Sequence, residues 1–213
     1  MIGIEAGKSV GDSARISAGT LAAAIKQVGI AAAKETSRPE LTGVLFEREG
    51  ASLKLTATNG YRLHHTALAL EAVGEDWKCL VDAKMLLKWA KGLPQQQVKE
   101  AVAVGPMVSS AETHNNIPVP VYGLHVQGTG ISNGLAGNFP NYPQLIPSAA
   151  EAKSSFVVDR DVVIAAVVAV KDRADNGSDV VRLIDREDKL VISVKGLDVA
   201  PTPHRKDIYK RME

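Results

Sequence analysis

Trp77-Lys78-Cys79-Leu80-Val81-Asp82-Ala83-Lys84-Met85-Leu86-Leu87-Lys88-Trp89-Ala90-Lys91-Gly92-Leu93-Pro94 holds a strand, a cap and a helix in one pass. Trp77 to Val81 is a short apolar run suited to a strand. Asp82 is placed to accept the free N–H groups of a first helical turn. Ala83 to about Leu93 has helical spacing, and Gly92 with Pro94 stops it. Lys84, Lys88 and Lys91 fall at i, i+4 and i+7 and form one stripe, with Met85, Leu86 and Trp89 expected on the opposite side.

The same grammar occurs on either side. Upstream, Ala14 to Ile16 is a strand, Ser17 a cap, and Ala18 to about Lys34 a helix with Leu21, Ile25 and Val28 on one face. Downstream, Ser155 to Val158 precedes Asp159 and a helix from Arg160 to about Ala174, ended by Asp175-Asn176-Gly177. The caps stand 65 and 77 residues apart, so each unit holds more than its helix. Strands follow the first helix at Gly43 to Glu47, Leu53 to Thr58 and Tyr61 to Leu70, punctuated by Glu49-Gly50 and Asn59-Gly60. After the second helix come Val98 to Val104, a weaker Met107 to Thr113 and Val121 to Gln127, the last two joined by a Pro-rich loop. Val180 to Asp185 and Lys189 to Val194 follow the third, with no evident third strand. The class is α+β: repeated helix-plus-meander half-domains, with helices covering one face of antiparallel sheets. Two such units close one core. The chain therefore divides into an N-terminal segment 1–13, a two-unit domain 14–147, a one-unit partial domain 148–200 and a basic tail 201–213.

Bulk properties narrow the function classes. The chain has 25 Lys plus Arg and 24 Asp plus Glu, so DNA binding would rest on local charge rather than on a basic excess. One cysteine, Cys79, permits no intrachain disulfide and fits the reducing cytoplasm. Residues 1–13 lack the apolar core of a secretory signal, and Val162 to Val170, read as a buried helix, is too short to span a bilayer. Neither export nor a membrane is indicated. His64, His65, His114, His125 and His204 show no metal-ligand spacing with Cys79, and there is no phosphate loop or nucleophile elbow. No cofactor, metal or catalytic residue is expected.

Two motifs carry a resemblance. Arg38-Pro39-Glu40-Leu41-Thr42-Gly43-Val44-Leu45-Phe46-Glu47, followed by Leu55-Thr56-Ala57-Thr58-Asn59-Gly60-Tyr61-Arg62-Leu63, resembles the middle domain of the bacterial DNA polymerase III beta subunit, the sliding clamp. Gly137-Asn138-Phe139-Pro140-Asn141-Tyr142-Pro143-Gln144-Leu145-Ile146-Pro147 is similar to that family's linker into its last domain. The resemblance implies a non-catalytic processivity factor of replication. Its partners would be double-stranded DNA, the replicative polymerase and clamp-loader subunits, with a homo-oligomer if a ring forms. It places the helices on the DNA side, through Lys26, Lys34, Arg38, Lys84, Lys88, Lys91, Arg160 and Lys171. It assigns a partner-peptide pocket to Leu41, Thr58, Gly60, Tyr61, Arg62, Leu63 and Pro147.

The pattern also departs from the family. A full clamp chain has six half-units, and three are found here, corresponding to the middle domain and part of the last. A ring of twelve half-units would then take four chains. The rival reading is a truncated, clamp-derived peptide-binding module that does not encircle DNA. In either case the half-domain after Ser154 is expected to expose part of Val162 to Val170.

Overall fold

The computed structural model describes residues 13–35, 37–114, 117–128, 134–148, 157–171, 182–186, 189–194 and 197–199. The chain separates into two compact units, 1–141 and 142–213.

In the first unit, β1 (Ala14–Ser17) leads into α1 (Ala18–Gly29), and β2 (Gly43–Glu49), β3 (Ser52–Thr58) and β4 (Leu63–Ala69) form a meander. Then β5 (Trp77–Asp82) leads into α2 (Ala83–Gly92), followed by β6 (Ala101–His114) and β7 (Ile117–Val126). The two sheets exchange their first strands. Strand β1 pairs antiparallel with β6 in the order β1-β6-β7, while β5 joins the other meander in the order β4-β3-β2-β5. Each sheet therefore contains strands from both repeats, which is why a single repeat cannot close a core.

That core is continuous. Leu21, Ile25 and Val28 of α1 and Leu86 and Ala90 of α2 pack with Val44, Phe46, Leu53, Leu55, Val81, Val104, Leu124 and Val126 in one buried cluster. Each fully buried large aliphatic or aromatic side chain contributes about 1.5–3 kcal/mol of transfer free energy. The helices approach closely, since a methyl added at Gly29 would lie 3.1 Å from Leu87 Cδ2.

Several boundaries differ from expectation. Helix α1 stops at Gly29, not near Lys34, although Ala31-Ala32-Ala33 favours helix. Tertiary contacts end it: Arg62 Nη2 donates to Ile30 O at 2.7 Å, His64 Nδ1 lies 2.9 Å from Gln27 O, and Ala33 N donates to Leu41 O at 2.8 Å. Ser17 occupies the cap position without capping. Its hydroxyl donates instead to Val98 O at 2.9 Å, tying the two repeats together. Asp82 caps as expected, accepting from Met85 N at 2.8 Å. Val98 lies before β6, whose first residue is Ala101, and the expected weak segment from Met107 is the continuation of β6, with an irregularity between Val108 and Ser110. The described part of the Pro-rich loop from Ile117 to Pro120 is strand as well. Pro118 and Pro120 stand two residues apart in β7, the outermost strand of its sheet, so both missing N–H groups fall on one edge.

The second unit contains α3 (Arg160–Lys171), β8 (Arg182–Arg186), β9 (Lys189–Val194) and β10 (Leu197–Val199), with sheet order β10-β9-β8. Asp159 caps α3 by accepting from Asp161 N at 2.9 Å and Val162 N at 3.0 Å. The third strand of this meander exists, as three residues pairing Leu197 with Val194. Its brevity hid it. Helix α3 is buried only along one side, where Ala166 and Val170 pack with Ile192. Ile164 is 53% exposed and Val168 56%, so the expectation of a buried helix holds for half its circumference. The strand expected at Ser155 to Val158 and the tail 201–213 lie wholly or largely outside the described residues.

Candidate functional site

Two surfaces of the first unit gather the residues singled out by sequence. On α2, Lys84, Lys88 and Lys91 are exposed in one stripe above a buried side formed by Ala83, Leu86 and Ala90. Met85 does not join the buried side and is 39% exposed. Among the described residues none of the three lysines has an ion-pair partner, as the ion pairs are Lys54 with Glu49 and Arg160 with Asp161. Lys26 is exposed in the last turn of α1, while Lys34 and Arg38 are exposed beyond the helix rather than on it. Such cations, without ion-pair partners among the described residues, are available to phosphate oxygens.

The other surface is the turn between β3 and β4. Thr58 Oγ1 donates to Arg62 O at 2.8 Å and accepts from Gly60 N at 3.0 Å. Asn59 Oδ1 accepts from Tyr61 N at 3.1 Å and Arg62 N at 3.0 Å. Gly60 sits at φ +88°, in the left-handed region where a side chain is strained. The turn is thereby fixed, and it holds Tyr61 98% exposed. Leu63 is half-buried. Leu41, in the 3₁₀ turn Pro39–Thr42, is buried and offers little open wall. Arg62 is exposed but spends one limb of its fork on Ile30 O. Sequence reasoning passed over Ile30, 56% exposed beside that contact, and His64, because helix ends were read from local propensity. Pro147 is exposed in the second unit, as is Arg160, which is paired with Asp161; Lys171 closes α3.

Among the described residues no group of three or more His, Cys, Asp or Glu is close enough to hold an ion. His65 instead hydrogen-bonds Thr56 Oγ1 at 2.9 Å across the sheet. Burial, then the nearby Lys54, lowers its pKa, with Glu47 pulling the other way. Burial pushes the Cys79 thiol well up. Among the described residues no helix is long and apolar enough to cross a membrane.

Residues 15–141, spanning the exchanged-strand domain and both surfaces, match the family model for the central domain of the DNA polymerase III beta subunit. The chain belongs to that sliding-clamp family. It is 29% identical over 189 residues to the beta sliding clamp of Streptomyces coelicolor, covering 87% of this chain and 47% of that protein. It is 30% identical over 129 residues to the beta sliding clamp homolog GriR of Streptomyces muensis, 59% of this chain and 31% of that protein. Among solved structures, the DNA polymerase III subunit beta of Pseudomonas aeruginosa superposes with a TM-score of 0.72 at 20% identity, over 94% of this chain and 52% of that one. The sliding clamp of Bacillus subtilis gives 0.66 at 20% identity, over 92% and 49%. The clamp fold is thus shared, and the chain spans about half the length of most of these relatives or less.

Proposed function

We propose that this chain is a non-catalytic, clamp-type replication protein of the cytoplasm. It contacts duplex DNA through phosphates without reading sequence, and it docks short apolar segments of the replicative polymerase and clamp-loader subunits. The observation that carries the DNA half is the stripe of Lys84, Lys88 and Lys91 on α2, exposed and without ion-pair partners among the described residues. Long flexible ammonium groups meet phosphates as point charges and carry no base information. Lys26, Lys34 and Arg38 extend the same chemistry. The docking half is supported by the rigid turn at Thr58 to Leu63, whose exposed Tyr61 supplies an amphipathic anchor of the kind favoured in peptide recognition.

The test is a mobility-shift assay on two duplexes of unrelated sequence, with a nicked plasmid retained and then linearised as a second arm. Equal affinity for both duplexes is expected, falling with salt. Strong preference for one duplex would reject the phosphate reading. Loss from the plasmid on linearisation marks encirclement by an oligomer. Equal retention on both forms marks the rival, a clamp-derived module that binds DNA or partner peptides from one side. For docking, an apolar clamp-binding peptide should bind the wild-type chain and lose affinity on Tyr61→Ala.

A further inference from the structure

Helix α1 relies on distant side chains at its C-terminal end. Val28 O accepts from Ala31 N at 3.0 Å and Gly29 O from Ala32 N at 3.3 Å. The Gln27 and Ile30 carbonyls are met by side chains instead: His64 Nδ1, which must carry its proton to face a carbonyl, at 2.9 Å, and Arg62 Nη2 at 2.7 Å. One step further on, Ala33 N donates to Leu41 O at 2.8 Å, and Leu41 N donates to Arg38 O at 3.0 Å. Of the three residues that hold this stretch, Arg62 and Leu41 belong to the candidate docking surface and His64 adjoins a third member, Leu63. The same stretch carries Lys26 in the last turn of α1, with Lys34 and Arg38 beyond it, all exposed. It is therefore tied to the docking surface by hydrogen bonds while supplying three of the cations assigned to DNA.

We infer that the end of α1 couples the two sites, an inference that rests on both being used as proposed: a docked partner segment tightens the hold on DNA, and DNA tightens docking. The Arg62 and His64 bonds face solvent, so water competes for both carbonyls. An apolar segment laid over the exposed Tyr61 and Ile30 excludes that water. The bond from guanidinium to carbonyl strengthens in the drier setting, and the helix dipole favours positive charge at this end. With its last turn held, α1 presents Lys26, and the loop after it Lys34 and Arg38, with less freedom left to lose on meeting phosphates. Coupling of this kind is reciprocal by thermodynamic necessity. The chain would grip DNA more firmly with a partner seated than without one.

The test is fluorescence anisotropy of the full 213-residue chain on a labelled duplex at one fixed salt concentration, with and without an N-acetylated apolar peptide of leucine and phenylalanine. The peptide is added at saturation, judged from its own binding curve for each protein. Peptide should raise the wild-type affinity for duplex about fivefold, and duplex should raise the affinity for peptide by the same factor. Amide exchange at Ile30 to Ala33 should slow when peptide binds. Arg62→Lys combined with His64→Phe keeps the charge and a ring while removing the planar fork and the Nδ1 donor. This double variant should bind duplex equally with and without peptide. A wild-type chain that binds peptide and duplex separately, yet shows no change in either affinity when both are present, would overturn the coupling and leave the two sites standing. So would a double variant that responds to peptide as the wild type does. Failure to bind either ligand alone would remove the underlying reading and the coupling with it.

Discussion

Replacing Lys84, Lys88 and Lys91 together by alanine should change the salt dependence of DNA binding by a definite amount. Lys84 and Lys91 stand seven positions apart on α2, about 10 Å along its axis. Each of the three ammonium groups can neutralise one phosphate. Every phosphate contact adds about 0.9 to the slope of log affinity against log salt, so the three together account for a slope of about 2.7. Between about 50 and 200 mM salt, wild-type affinity should fall about 40-fold more steeply than that of the triple variant. The assay is fluorescence anisotropy on a labelled duplex across that range, with thermal midpoints measured in parallel. Because all three side chains are exposed, folding should be nearly unaffected, within about 0.5 kcal/mol per site. Identical slopes for the two proteins would remove α2 from the DNA interface.

Asp82→Ala should destabilise the first unit by about 1 kcal/mol in urea unfolding, because the Met85 amide loses its acceptor. His65 has a lowered pKa, so the unfolded chain binds its proton first; stability should decline as pH falls below the ordinary value of 6.5, and His65→Gln should flatten that decline. Cys79, buried and held protonated, should resist thiol reagents in the native state and react at once in denaturant; rapid native labelling would contradict the packing of β5. Arg62→Ala should speed hydrogen exchange at the C-terminal end of α1, where it holds the carbonyl of the capping residue Ile30, while leaving α2 protected.

Local chemistry was legible wherever one element decided its own geometry. Asp82 and Asp159 cap the helices expected of them, and the turn at Asn59-Gly60 has the left-handed glycine its sequence calls for. The lysine stripe was likewise readable from spacing alone. What escaped depended on partners distant in sequence. Nothing near Ser17 shows that its hydroxyl turns away to Val98, and nothing in Ala31 to Ala33 shows that Arg62 and His64 close α1. Pro118 and Pro120 read as a loop because a strand tolerates them only where one edge is unpaired, and which edge is unpaired is a property of the assembled sheet.

The exchange of first strands also bears on how the chain is made. Ala14 pairs with Val104, ninety residues later, so β1 emerges from the ribosome long before its partner exists. At ordinary synthesis rates that interval is roughly 5 to 18 s. Throughout it, α1 lacks the strands β6 and β7 that help cover Leu21, Ile25 and Val28, and for most of it α2 is missing as well. A nascent chain in this condition is a substrate for holding chaperones, and productive folding of the domain waits on the translation of β6.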